Sequence, residues 1–224
     1  MTPTLTRLDP DRPAGAAVLL LHGGTPRSET VVDGRSASWR RMAALQRAVD
    51  RPLRTDGVAS WLLRYRQRGW NDGVGVLADA RWALEEVRRT HGDVPVVLLG
   101  HSMGARVAVH VADDPSVVGV VGLAPWWEPG DPVSPLAGRR LVAAHGRRDR
   151  ITSYRRTADF VERARRAGVA ADLVDMGWRG HYLLAGAGAW NRVALAGVRS
   201  VRTGSEPPRP TAPGRAAPSR DSHR

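Results

Sequence analysis

Leu98-Leu99-Gly100-His101-Ser102-Met103-Gly104 sets a serine between two glycines at the junction of two kinds of sequence. Before it, Val94 to Leu99 is a short run rich in Val and Leu, the pattern of a buried parallel strand. After it, Val107 and Val111 share one face of a predicted helix from Ser102 to Val111. A serine forced into a tight strand-to-helix turn projects its hydroxyl above the sheet, and glycines two residues to either side leave room for close backbone packing. A lone Gly-x-Ser-x-Gly also arises by chance among 24 glycines, and Ser102 would then merely cap its helix. The strand before and the helix after favour the catalytic reading.

The same alternation extends along the chain in both directions. Ala16 to Leu21, Val58 to Leu63, Val117 to Leu123, Leu141 to Ala144 and Ala170 to Val174 read as strands. Between them, helical spacing predicts helices over 37–50, closed by Pro52, over 74–90 and over 154–167, with a last one over 183–198. Strands alternating with helices imply a doubly wound, mostly parallel α/β sheet with helices on both faces. No internal repeat is visible.

At 224 residues the chain fits one domain, and 42% hydrophobic content with eight Trp can supply its core. After Arg202, Pro207, Pro208, Pro210, Pro213 and Pro218 interrupt all periodicity. The reading is therefore a domain over 1–202 and a disordered Pro/Arg-rich tail over 203–224. With no cysteine, disulfides, thiolate nucleophiles and cysteine-ligated metals are excluded, so any covalent nucleophile is an oxygen or a nitrogen. Met1 to Pro13 lacks the apolar run of a secretion signal, and no stretch of about 18 residues is uninterruptedly apolar. The expectation is a cytoplasmic protein without a membrane partner.

The formal charge of +12 comes entirely from arginine, spread from Arg7 to Arg224. Dispersed arginine without interleaved aromatics reads as compositional bias, so no nucleic-acid partner is expected. Arg147, Arg148 and Arg150 are given the same reading, against their drawing an anionic substrate to the cleft.

With its glycine-flanked serine and this order of elements, the sequence over roughly 16–199 resembles the α/β-hydrolase family. The resemblance implies a serine hydrolase that cleaves a carboxylic ester or thioester through an acyl-enzyme on Ser102. No metal or organic cofactor is required. Serine needs an imidazole to take its proton and a carboxylate to fix that imidazole's tautomer. His181 follows the last predicted strand, where the family places its base; His22, His91, His101, His110 and His223 are structural by placement, and His145 precedes an Asp in a turn. His145-Gly146-Arg147-Arg148-Asp149 looks like the family's acid-bearing turn, with Asp131 as the rival acid. Leu21-His22-Gly23-Gly24 resembles the family's oxyanion loop, so the backbone amides of Gly24 and Met103 are the implied oxyanion pair.

Ala124 to Arg140 is too short for a multi-helix cap, which leaves the site open, and Trp126 and Trp127 at its start are candidate walls for an ester-type small-molecule substrate. Two departures from the family stand out. The N-terminal antiparallel hairpin is truncated to at most one short strand, and Thr152-Ser153 stands where a proline commonly follows the acid turn. The alternative is a non-catalytic small-molecule-binding protein on the same scaffold.

Overall fold

Strands that alternate apolar residues toward both faces need cover on both sides, and this chain supplies it. The computed structural model describes residues 2–205. Seven strands form one sheet: β1 (Thr4–Leu8), β2 (Ala16–Leu21), β3 (Val58–Arg64), β4 (Val96–His101), β5 (Val117–Leu123), β6 (Arg140–His145) and β7 (Ala170–Asp175). Their spatial order is β1-β3-β2-β4-β5-β6-β7, with β1 antiparallel to β3 and every other pair parallel. The single strand β1 is all that stands where the hairpin was expected to be truncated.

Among the described residues five helices cover the sheet: α1 (Ala37–Thr55), α2 (Val74–His91), α3 (Met103–His110), α4 (Tyr154–Arg166) and α5 (Ala187–Thr203). Residues of opposite parity on β2 enter opposite layers. Ala17, Leu19 and Leu21 join the core formed with α2, α3 and α4, while Ala16, Val18 and Leu20 join the core formed with α1 and α5. Along β2 all six residues are buried, which is why its sequence reads as an unbroken apolar run.

The winding direction reverses between β2 and β4. From β2 the chain moves through α1 to β3 on one side, and from β4 through α3 to β5 on the other. Loops that leave in opposite directions open a crevice at the carboxyl ends of these two strands, the usual ligand position in open α/β sheets. Both glycine motifs end there. Between β5 and β6, among the described residues, the connection holds only a one-turn 3₁₀ segment at Ser134–Leu136, so the crevice carries no cap domain.

Several boundaries differ from the sequence reading. Pro52 does not close α1, which runs on to Thr55; the proline forfeits one helical N–H, and the last turn seats Leu53 fully in the core. Strand β4 starts at Val96, past Pro95, which has no N–H for the ladder. The last helix starts at Ala187, because Leu183 takes a left-handed φ of 57° and Gly186 one of 74°. It also runs to Thr203, past the expected edge of the tail, whose residues 206–224 lie outside the described residues. Among the described residues no helix is long and apolar enough to cross a membrane.

Candidate active site

The serine turn is built by exclusion of volume. Ser102 has φ 54° and ψ −118°, a conformation that L residues rarely adopt. A Cβ on Gly100 would lie 2.4 Å from the Ala105 nitrogen, and one on Gly104 would lie 2.0 Å from the Leu21 carbonyl oxygen. The elbow thus closes only with hydrogen at both positions. The Ser102 N–H donates to the Leu123 oxygen at 3.1 Å, and the Ser102 carbonyl accepts from Ala105 and Trp126 at 3.1 and 3.2 Å, so the strained residue is tied on both sides. Ala124 (φ 41°) and Leu183 (φ 57°) are further left-handed residues, in the loops that border this point. Strain of this kind persists where surrounding contacts overdetermine it.

Three elements deliver the polar side chains. His181 Nε2 stands 3.0 Å from Ser102 Oγ, and His181 Nδ1 stands 2.8 Å from Asp149 Oδ2. Ser102 and His181 are both 6% exposed, enough for substrate to reach them and too little for bulk water to bathe them. The structure therefore brings together Ser102, His181 and Asp149. It does not bring Asp131 to His181: that carboxylate is buried at Arg106 Nε and His110 Nε2, both at 2.9 Å, and accepts the Glu128 N–H at 2.8 Å.

Asp149 sits in a dense cage of donors. Ile151 N–H and Thr152 N–H both reach Oδ1 at 2.8 Å, and the Thr152 hydroxyl reaches Oδ2 at 2.9 Å. His145 Nε2 approaches Oδ2 at 3.2 Å, while its Nδ1 lies 2.7 Å from Thr157 Oγ1. Burial pushes the Asp149 carboxyl up, but the hydrogen bonds from His145, His181 and the Thr152 amide outweigh it and hold the group well below the usual carboxylate range. The carboxylate stays ionised where an imidazolium would form beside it.

His145 and Thr152 are members of this site that the sequence reading did not assign. For His145 a signal existed: a histidine closing an Ala/Val/Leu strand has no water, so it must find a buried polar partner. For Thr152 the only signal was that it stands in the acid turn, where the family's proline is missing. Ser153 supplies a substitute there, its side chain accepting the Arg156 N–H as the cap of α4.

Two further histidines hold the frame. His101 Nε2 lies 3.0 Å from the His181 carbonyl oxygen, so the residue before Ser102 donates to the backbone of the neighbouring loop. Burial first, then the charges of His181 and Arg41, push the His101 pKa down to about 3. His22 Nδ1 lies 2.7 Å from the Gly23 oxygen, and its Nε2 accepts the Tyr65 N–H at 3.4 Å. Burial lowers its pKa to about 4. Both imidazoles are neutral fixtures of the native state.

The Gly23-Gly24 loop passes against the elbow. A Cβ on Gly23 would lie 3.3 Å from Ser102 Cβ, and one on Gly24 would lie 2.5 Å from Met103 Cε. The loop is laced to the β3–α2 connection: Thr25 N–H donates to Arg68 O at 3.2 Å, Trp70 N–H to Thr25 O at 2.8 Å and Gly69 N–H to Ser28 O at 3.0 Å. Among the described residues, neither the Gly24 nor the Met103 N–H has a hydrogen-bond acceptor. Two unspent donors beside a serine hydroxyl are what a developing oxyanion requires.

The two tryptophans part company. Trp127 is 1% exposed, stacks on Phe160 at 4.3 Å and donates to Ala105 O at 3.0 Å. Its ring packs in the core over β5, and although it borders the same cavity as Trp126, at 1% exposure it offers a substrate almost no surface, so the expected wall is reduced to Trp126. Trp126 is half-buried, borders a cavity of about 670 Å³ that also touches Asp149 and Thr152, and donates to Glu128 at 2.7 Å. Trp70 stands edge-on to it at 6.4 Å, with the Arg106 guanidinium over both rings. Ile151, Trp178, Tyr182 and Leu184 expose large apolar surface on the two loops that carry Asp149 and His181. Among the described residues no three His, Cys, Asp or Glu side chains are grouped to hold a metal ion.

The elbow serine, the acid and the histidine follow along the chain in the order Ser102, Asp149, His181. A family model described as "Alpha/beta hydrolase family" matches residues 18–221. The chain belongs to the alpha/beta hydrolase family. No curated protein matches it. Solved structures similar to this alpha/beta hydrolase include an alpha-beta serine hydrolase homologue from Coxiella burnetii, 17% identical, covering 88% of this chain and 91% of that one with a TM-score of 0.70. A serine hydrolase without lid from Xanthomonas campestris is 20% identical over 94% and 91% of the two chains, with a TM-score of 0.67. An esterase from Butyrivibrio proteoclasticus, solved with ferulic acid bound, is 12% identical over 90% and 96%, with a TM-score of 0.67. At these identities the likeness is one of fold.

Proposed function

We propose that this alpha/beta hydrolase cleaves a carboxylic ester or thioester by acyl transfer through Ser102. The observation that carries the reading is the unbroken chain from Asp149 to His181 at 2.8 Å and from His181 to Ser102 Oγ at 3.0 Å. His181 takes the Ser102 proton as the hydroxyl attacks the carbonyl carbon, then returns it to the leaving alcohol or thiol. Water, deprotonated by the same imidazole, releases the acid and restores Ser102. Asp149 keeps Nδ1 protonated and balances the imidazolium. The Gly24 and Met103 amides receive the oxyanion, and Trp126 with the apolar rim contacts the acyl or alcohol group. The reading also keeps the small molecule as the partner, with no organic cofactor.

A fluorophosphonate probe tests it on purified protein, with intact mass as the readout. One adduct on wild type that Ser102→Ala abolishes is the expected result. Absence of an adduct on folded wild type would sink the acyl-enzyme reading and leave a small-molecule-binding protein on the same scaffold.

A further inference from the structure

Many arginines of this chain fold back onto carboxylates. Arg7 pairs with Glu86, Arg66 with Asp79, Arg88 with Asp114, Arg140 with Asp172, Arg147 with Asp175 and Arg199 with Asp56. Other arginines make no such pair, and four of those gather around one cavity. A shallow cavity of about 460 Å³ lies between the first half of α1 and the loop carrying His181, lined by Arg35, Arg40, Arg41, Arg47, Trp39 and Leu184 among others. No carboxylate lines it, and among the described residues none of these four guanidinium groups makes a salt bridge.

Arg41 is the unusual member. It is half-buried, and among the described residues its Nε and the Trp39 Nε1 are buried without a hydrogen-bond partner, while the Tyr182 ring lies 4.9 Å from the guanidinium carbon. Burial drives its pKa down, with Tyr182 opposing more weakly. A desolvated cation without a counter-charge is expensive, and proteins ordinarily supply a partner. Tyr182 in turn stands edge-on to His181 at 5.5 Å, so Arg41 lies one ring away from the base.

We propose that this cavity is an anion subsite of the active site, and that the substrate is an ester or thioester bearing a carboxylate or phosphate group that Arg41 receives. The inference rests on the hydrolase reading of Ser102 and adds the chemical class of substrate. Guanidinium groups match both anions geometrically and are less strongly hydrated than ammonium, which suits a half-buried site. Tyr182 separates this charge from His181 and positions the anion at a fixed distance from the scissile carbonyl.

Matched esters test it. The p-nitrophenyl monoester of glutarate and p-nitrophenyl valerate differ by a terminal carboxylate in place of a methyl; 4-carboxyphenyl butyrate and 4-methylphenyl butyrate move the charge to the leaving side. In wild type, kcat/KM is expected to favour the anionic ester of one pair, and Arg41→Met lowers that preference about tenfold or more, the loss of a charged hydrogen bond. Arg41→Lys retains part of it, the exposed variant Arg47→Gln lowers it less, and Arg81→Met, far from the cavity, serves as the charge control. Inorganic phosphate is expected to inhibit wild type competitively and to raise its melting temperature, and to do neither in Arg41→Met. Equal ratios in wild type and Arg41→Met for both pairs would overturn the subsite even while Ser102 takes the probe. Failure of the probe, with phosphate still stabilising wild type and not Arg41→Met, would overturn the hydrolase reading and leave the anion site standing.

Discussion

The turn that carries Ser102 and the loop that carries His181 meet where their side chains come within 3.0 Å, but they are held by different forces. The elbow is fixed by steric exclusion: Gly100 and Gly104 touch backbone on all sides, and Met103 and Ala105 are fully buried. The 176–186 loop touches backbone closely only at its start, where a Cβ on Gly146 would lie 2.1 Å from Arg179 O and the Arg147 and Arg148 N–H groups donate to Gly177 and Arg179. Around His181 it is held by His101 to the His181 carbonyl and by His181 to Asp149, while Trp178 and Leu184 remain 80% and 70% exposed. A serine in such a turn needs packing and backbone hydrogen bonds only, because its hydroxyl has merely to project. A base has to be oriented about its ring, and only directional hydrogen bonds do that.

Substitutions can break this contrast in order of size. Ser102→Ala is expected to lower kcat on a short ester by about 10⁴-fold or more, and Asp149→Asn by about as much through loss of the His181 tautomer, both with unchanged KM, measured by steady-state kinetics. If Asp149→Asn retained wild-type turnover, the orienting role of the acid would be lost. Gly104→Ala should cost about 3 kcal/mol or more in urea unfolding, since the added methyl meets the Leu21 carbonyl and the backbone has no room to shift. Retained stability there would show that the elbow is not held sterically.

Acid should strike the frame before it strikes the acid residue. His22 and His101 have folded pKa values lowered to about 4 and about 3 from 6.5, so the unfolded chain binds more protons between those limits. The stability they confer is complete above about pH 6.5 and is lost as pH falls toward 4 and 3, with a slope of up to about 1.4 kcal/mol per pH unit for each. Urea midpoints across pH 7 to 4 should fall, and His22→Asn should flatten the fall; a midpoint independent of pH would contradict the neutral, buried assignment. Thr152→Val removes one hydroxyl from Asp149 and should lower kcat about tenfold. Trp178→Ser, on the exposed loop, should change stability by less than about 0.5 kcal/mol, which sharpens the contrast with Gly104→Ala.

Legibility followed the same division. Ala16–Leu21 and Val117–Leu123 have the predicted boundaries because a strand buried on both faces leaves an uninterrupted apolar run. The last helix was misplaced by four residues at its start, since the left-handed turns at Leu183 and Gly186 leave no periodic trace. His145 and Thr152 were not assigned because their roles depend on which carboxylate the fold brings near. Trp126 and Trp127 are adjacent in sequence, chemically identical and border one cavity, yet Trp126 is half-buried and Trp127 is stacked on Phe160 in the core. No pattern of spacing distinguishes them.

By itself the sequence determined the alternation of strand and helix, the glycine-flanked serine at its centre and the order in which the candidate acid and base follow. These are local or periodic properties, set by side-chain volume, φ freedom and hydrophobic period over a few residues. Only the tertiary structure decided that Asp149 rather than Asp131 stands beside His181, that His101 and His145 brace the site, and that Arg41 is left half-buried without a counter-charge. Those outcomes depend on distances and orientations between residues far apart in the chain, which hydrogen bonding and desolvation require and local sequence does not encode.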